Sequence, residues 1–307
     1  MSALSQPTAV EEEVEEAQAL QRTTKSRIIF RRFLRNRLAV VGVVIFLILV
    51  FFAIFGSKFG KYHYSDTDFL ALKQPPSREH WLGTDEAGGD MYARLMRGLG
   101  RSLMIGCIAS VLISIIAAVV GTAVAYFPGW REKAGTWVLD MLLVIPSFFL
   151  LALMTSQTSG TSGWIWLTAA LTIFGWFGFA RVIRAIALSL REREYVMASK
   201  FMGEKSFTIM RRHIIPNLGS VMIIHTTLGV ALAVEAETSL SFLGFGIQDP
   251  DTSLGALIGS GTSTMLTAPW LLLEPLIVLL LLLFSMTFIG DGLRDALDPS
   301  SESGGRA

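Results

Sequence analysis

One cysteine, Cys107, is all the chain has in 307 residues, so no intramolecular disulfide can form; set in an apolar run, it reads as a small buried hydrophobe. Charge is scarce as well. Asp, Glu, Lys and Arg make up 17% of the residues against 52% hydrophobic ones, and mean hydropathy is +0.54. Soluble domains are seldom so apolar, and the solvent implied is a bilayer. There is no G-x-x-x-x-G-K-[ST] loop to cradle nucleotide phosphates; Gly203-Glu204-Lys205-Ser206 lacks the upstream glycine and the preceding strand. Nor is one sign of charge in excess, since the net charge is +1. That balance names no partner, and no nucleic acid is expected. The layout is uneven: acids crowd Glu11 to Glu16, and Arg22, Lys25, Arg27, Arg31, Arg32, Arg35 and Arg37 follow.

What the chain has is long apolar runs. A helix needs about 20 predominantly apolar residues to cross the hydrocarbon core, where backbone polar groups must be satisfied internally. Six runs meet this, at about 38–55, 102–127, 135–155, 164–180, 218–240 and 270–290. In the second, Gly106, Ser110, Ser114 and Gly121 are small residues suited to close helix packing. Lys and Arg are retained on the cytoplasmic side of short loops. With the N-terminus inside, 19 of the 26 basic residues fall on inner segments. The other seven lie between Lys58 and Arg101, a segment long enough to weaken the rule. Both termini are therefore expected in the cytoplasm. The basic start and first run are too long for a cleaved signal peptide. The expected organisation is a disordered acidic tail (1–24), a basic segment with the first span (25–56) and an external segment (57–101). A five-helix core (102–290) carrying the loop 181–217 and a cytoplasmic tail (291–307) complete it. The fold class is an all-α membrane protein with six transmembrane helices.

The loop 181–217 has the grammar of two short helices at an elbow. Good helix formers run from Glu194 to Met202, Gly203 can take a left-handed cap, Ser206 can cap a second helix, and Pro216 cannot continue it. Phe201, Met202 and Phe207 are apolar in a cytoplasmic loop flanked by charge, the pattern of a docking surface; the alternative is a helix lying on the membrane.

The run Glu194-Tyr195-Val196-Met197-Ala198-Ser199-Lys200-Phe201-Met202-Gly203 resembles the EAA loop of ABC importer permeases of the dipeptide/oligopeptide/nickel class. Three further blocks carry the likeness: Trp81-Leu82-Gly83-Thr84-Asp85, Leu240-Ser241-Phe242-Leu243-Gly244, and Gly290-Asp291-Gly292-Leu293-Arg294-Asp295. The sequence is most similar to the C-type subunit of an oligopeptide permease, over roughly 31–299. It departs from that pattern at Gly89, where arginine is usual, at Ser199, which replaces the second alanine of the motif, and at Leu254 and Leu276. The resemblance implies a type I ABC importer permease fold with a cytoplasmic coupling helix, in a bacterial inner membrane. It implies as partners a second homologous permease, two ATP-binding subunits that hold the ATP and Mg, an extracytoplasmic substrate-binding protein, and membrane lipid. This chain would bind no cofactor. Coupling would rest on Glu194, Tyr195, Ala198, Ser199, Phe201, Met202, Gly203, Phe207 and Pro216, and nucleotide-driven closure would move rigid helices toward alternating access. Substrates would be oligopeptides or dipeptides, or alternatively nickel chelates or another small solute.

Ionisable groups inside spans are costly and mark sites or interfaces. Glu237, Asp140 and Glu235 are the candidates for the translocation path; His225 and Glu274 read as packed or partly solvated. No catalytic or metal-ligating residue is assigned. An enzyme reading survives only as Gly160-Thr161-Ser162-Gly163 with His225, the serine–histidine arrangement of rhomboid-type intramembrane proteases. A stand-alone carrier is disfavoured because no matching pair of Gly/Pro-broken spans is visible.

Overall fold

The computed structural model describes residues 27–155 and 162–297. The tail expected to be disordered (1–24), Gly160-Thr161 of the serine motif, and the C-terminal residues from 298 onward lie outside the described residues.

Among the described residues the chain is helical, with two isolated β-bridges, Thr67 to Gly89 and Thr84 to Asp90. A basic helix over 27–35, α1, breaks at Asn36, whose side chain accepts a hydrogen bond from the Ala39 N–H at 3.1 Å and starts α2 (Arg37–Phe55). The segment 56–90 leads into α3 (Met91–Tyr126), opened by the Asp90 carboxylate on the Ala93 N–H at 2.8 Å. Next come α4 (Trp130–Val144), α5 (Ser147–Thr155), α6 (Gly163–Gly175) and α7 (Phe177–Arg191). The elbow is α8 (Glu194–Phe201) and α9 (Ser206–Ile209), joined through a π turn and a 3-10 turn to α10 (Gly219–Phe242). Capped by Ser253, α11 (Leu254–Thr262) precedes α12 (Trp270–Leu297).

By length and composition four helical runs can cross a membrane alone: α2, α3, the continuous stretch Ser206–Phe242, and α12. The pairs α4–α5, bent by 69°, and α6–α7, bent by 40°, bring the number to the expected six. The bends correct one expectation, for spans three and four are both broken. Pro146 forces the first, since proline cannot accept a place in a helix interior without losing a backbone bond. The second falls at Trp176, directly after Gly175. The second span starts at Met91 rather than near 102 and the sixth runs to Leu297, because polar helix continues beyond the apolar part of each.

Without a hydrophobic force between helices in lipid, close backbone approach over small residues holds spans together. α3 is the central post. At Gly121 a Cβ would lie 2.5 Å from the Ala180 carbonyl of α7, and at Gly106 one would lie 2.6 Å from Val234 of α10. Gly229 of α10 packs against Ser110 of α3 in the same crossing.

Candidate functional site

The elbow is built by local chemistry. Arg193 sits extended ahead of α8 and its carbonyl accepts from the Val196 and Met197 N–H groups, both at 3.0 Å. Glu194 lies in the first turn and Lys200 in the last, each complementing the helix dipole. Gly203 follows with φ +79°; its N–H donates to the Lys200 carbonyl at 3.1 Å and that of Glu204 to the Ser199 carbonyl at 3.2 Å. This pair of bonds is the Schellman closure, which requires a left-handed residue at the position Gly203 holds. A Cβ on Gly203 would meet nothing within 4 Å, so the constraint there is backbone angle, not crowding.

The arms of the elbow are braced. His213 Nε2 lies 3.2 Å from Glu204 Oε2 and 3.3 Å from Ser199 Oγ, and Ser199 donates to the Tyr195 carbonyl at 3.1 Å. The serine that replaces the usual alanine therefore ties α8 to the return arm. Ser206 does not cap α9: Lys205 holds that position without a side-chain bond and Ser206 is the first helical residue. Pro216 does not stop the helix either. It sits early in the 3-10 turn Ile215–Leu218, where a missing N–H is tolerated, and the chain runs on into α10.

Of the proposed coupling residues, Phe201, Met202 and Phe207 are 84%, 79% and 70% exposed, while Ser199 is buried and Glu194, Tyr195, Ala198, Gly203 and Pro216 are exposed. Three large, exposed apolar side chains around one turn form a patch that asks for a partner. Beneath the patch a cavity of about 450 Å³ is lined by Tyr126, Arg191, Val196, Met197 and Phe201. Its wall is fixed by Glu132 of α4, which holds Arg184 at 3.1 Å and Arg191 at 3.4 Å, while Arg191 also donates to the Ala125 carbonyl at 2.6 Å.

Glu237 does not line an open path. Its side chain is fully buried, accepting from Ser102 Oγ at 2.8 Å and Ser241 Oγ at 2.6 Å. Ser102 Oγ in turn accepts the Leu254 N–H at 3.2 Å, so one carboxylate joins α3, α10 and the start of α11. A carboxyl group this deeply buried takes its hydrogen bonds from side chains of its own chain. Asp140 instead faces Arg181 at 3.4 Å with both side chains about half exposed, and Glu235 is exposed on another face of α10. Replacing Glu237 with leucine should strand two buried hydroxyls and cost on the order of 2–3 kcal/mol; thermal unfolding in detergent reads this, and an unchanged midpoint would refute the brace.

A second clasp escaped the sequence reading. Arg97 Nε donates to Asp251 Oδ1 at 2.7 Å, and Arg101 Nε lies 2.6 Å from Oδ2 as an ion pair outside hydrogen-bond alignment. Two arginines one turn apart on α3 were the available signal, because residues at i and i+4 share a face and here call for one anion. The block Leu82-Gly83-Thr84-Asp85 forms a knot of the same kind: buried Thr84 donates to the Ala71 carbonyl, and Asp85 Oδ1 accepts from the Ala87 and Gly89 N–H groups. Asp85 also pairs with Arg94 at 2.7 Å. Arg94 lies over Gly89, where a Cβ would sit 2.5 Å from its Nε. A guanidinium thus occupies the space beside the position where the resembled family carries its own arginine.

His225 stacks on Phe179 with ring centroids 3.4 Å apart and is not joined to Ser162, which lies in the turn before α6.

The model for the binding-protein-dependent transport system inner membrane component matches residues 95–303, and that for the N-terminal TM domain of oligopeptide transport permease C matches 24–76. The oligopeptide transport system permease protein OppC of Mycobacterium bovis is 45% identical over 280 residues, 91% of this chain and 96% of that protein. The OppC of Bacillus subtilis is 35% identical over 87% of each chain, and the dipeptide transport system permease protein DppC of the same organism is 35% identical over 88% of this chain and 84% of its own. ATP hydrolysis in such importers belongs to separate subunits, and this chain is a multi-pass membrane component, not an enzyme. The chain belongs to the inner-membrane permeases of binding-protein-dependent ABC importers and is similar to oligopeptide permease C.

Proposed function

We propose that the chain carries oligopeptides or dipeptides across the membrane together with a second permease, and that the elbow 194–217 is where an ATP-binding subunit grips it. The observation that supports this most is the exposed Phe201, Met202 and Phe207 patch, held on a braced two-helix turn in a permease whose named relatives transport peptides. The patch offers apolar area for a partner, the basic Lys200, Lys205, Arg211 and Arg212 its polar rim, and the continuous run Ser206–Phe242 a path from partner to membrane. Two ATP-binding subunits holding ATP and Mg, and an extracytoplasmic binding protein that delivers peptide, complete the assembly; lipid surrounds it. The single experiment is copurification from native membranes in mild detergent. It should bring down a second permease and ATP-binding subunits, and a lone chain under conditions that preserve other such complexes would refute the reading.

Both termini and the elbow face the cytoplasm on this reading, since the basic residues gather on those segments. Cysteines placed at the exposed positions Ser65 and Gln248, with Cys107 replaced by serine, should react with an impermeant thiol reagent in intact cells, whereas one at Lys205 should react only after lysis. Labelling of position 205 from outside would overturn the orientation.

A further inference from the structure

Both broken spans break beside the same cavity. Ser147, the first residue after the Pro146 bend, lines it, as do Gly175 and Gly178 on either side of the Trp176 bend; Ser110 of α3 and His225 and Gly229 of α10 close it. Its volume is about 360 Å³, and Ile113, Leu151, Leu171, Phe174 and Phe179 make most of its wall apolar.

Three facts limit what can fill this space. Interrupted helix at membrane depth is tolerated only where protein buries it or where it lines an aqueous cavity. The His225 imidazole, one face stacked on Phe179, lines the cavity with Ser110 and Ser147; its Nδ1 is sealed off by protein, which leaves Nε2 as the ring nitrogen an occupant can reach. A Cβ added at Gly178 would meet nothing within 4 Å, so the helix there faces open space. A lipid tail would cover the apolar wall but offer nothing to His225 or Ser147. A peptide matches both, with apolar side chains for the wall and backbone amides for the polar groups.

We propose that this cavity is a contact station on the import path, taking an apolar side chain of the passing peptide while His225 and Ser147 hydrogen-bond its backbone. The inference rests on the peptide-transport reading above, and it moves the path from the acids Glu237, Asp140 and Glu235 to the concave face between the two bends. Gly178 leaves the room, and His225 supplies Nε2, which donates or accepts according to the tautomer.

The test uses the complete complex with its second permease, ATP-binding subunits and binding protein in vesicles. In a Cys107→Ser background, Gly178→Cys should react with a water-soluble charged thiol reagent during ATP-driven turnover, and saturating peptide should slow the reaction several-fold. Gly178→Phe, recovered in wild-type yield, should cut uptake of peptides with Phe or Leu side chains about tenfold and triglycine much less. His225→Ala should raise KM for uptake with little change in maximal rate, and His225→Asn should recover most of it; a purely packing role for the ring would favour a bulky apolar replacement instead. A thiol at 178 that stays unreactive while the complex imports peptide marks the cavity as dry or lipid-filled and overturns the station alone, as does unchanged uptake of every peptide by Gly178→Phe. A wild-type complex that imports no peptide overturns the transport reading itself.

Discussion

Asp251→Ala should markedly lower the thermal stability of the detergent-solubilised protein. The carboxylate is almost completely buried and sits between Arg97 and Arg101 at 2.7 and 2.6 Å. Removing one partner of a buried ion pair leaves the others desolvated and uncompensated, at about 3–5 kcal/mol. Arg97 keeps a third of its side chain in water, which screens its share, so the loss should fall near the low end of that range, about 3 kcal/mol. Against a total stability of about 5–15 kcal/mol that is a large fraction. The residues 247–253 should come away from α3 first, which raises proteolysis there before the spans unfold. Changing Asp251→Asn together with Arg97→Gln and Arg101→Gln removes every charge and should recover part of the loss. A midpoint unchanged by Asp251→Ala alone would show that the clasp contributes nothing.

The second large effect concerns function, not stability. Gly203→Val should insert and accumulate normally, because Gly203 touches no span and its Cβ has room. At φ +79°, however, a side chain costs about 1–2 kcal/mol, and a β-branched one is the worst fit. The cheaper course is for α8 to lose its closure, which swings Phe201 and Met202 away from Phe207. Peptide uptake and peptide-stimulated ATP hydrolysis should then fall at least tenfold at matched membrane abundance. Gly203→Asn should retain most of both, since asparagine enters the left-handed region more readily. If valine and asparagine behave alike, the backbone angle is not what matters at this position.

The contrast between these two sites explains what the sequence could and could not disclose. Gly203 was legible because its signal is local: helix formers, then glycine, then a second short helix, all within a dozen or so residues. The Asp251 clasp joins residues 154 positions apart, and the Glu237 brace joins Ser102 across 135. Neither separation leaves a periodic trace. Glu237 stood out as an acid in an apolar run, yet whether it faces water or serines depends on which helix lies opposite. Apolar periodicity located the spans but blurred their ends, since α3 gains polar turns from Met91 that hydropathy cannot distinguish from loop. The bends divide likewise. Pro146 carried a local signal that the single run over 135–155 passed over, whereas the bend at Trp176 follows only a glycine.

The close crossing of α3 and α10 at Ser110 and Gly229 also has a mechanical meaning. If the run Ser206–Phe242 tilts as a rigid rod about that crossing, Gly229 is a fulcrum with unequal arms. At 1.5 Å per residue the arm toward the elbow measures roughly 35 Å and the arm toward Phe242 roughly 20 Å. A 3 Å pull on the elbow would therefore move the Phe242 end by about 1.7 Å in the opposite direction, gearing the stroke down and reversing it. Force at the Phe242 end would rise in the same proportion, which suits a short, strong displacement of well-packed helices better than a wide swing.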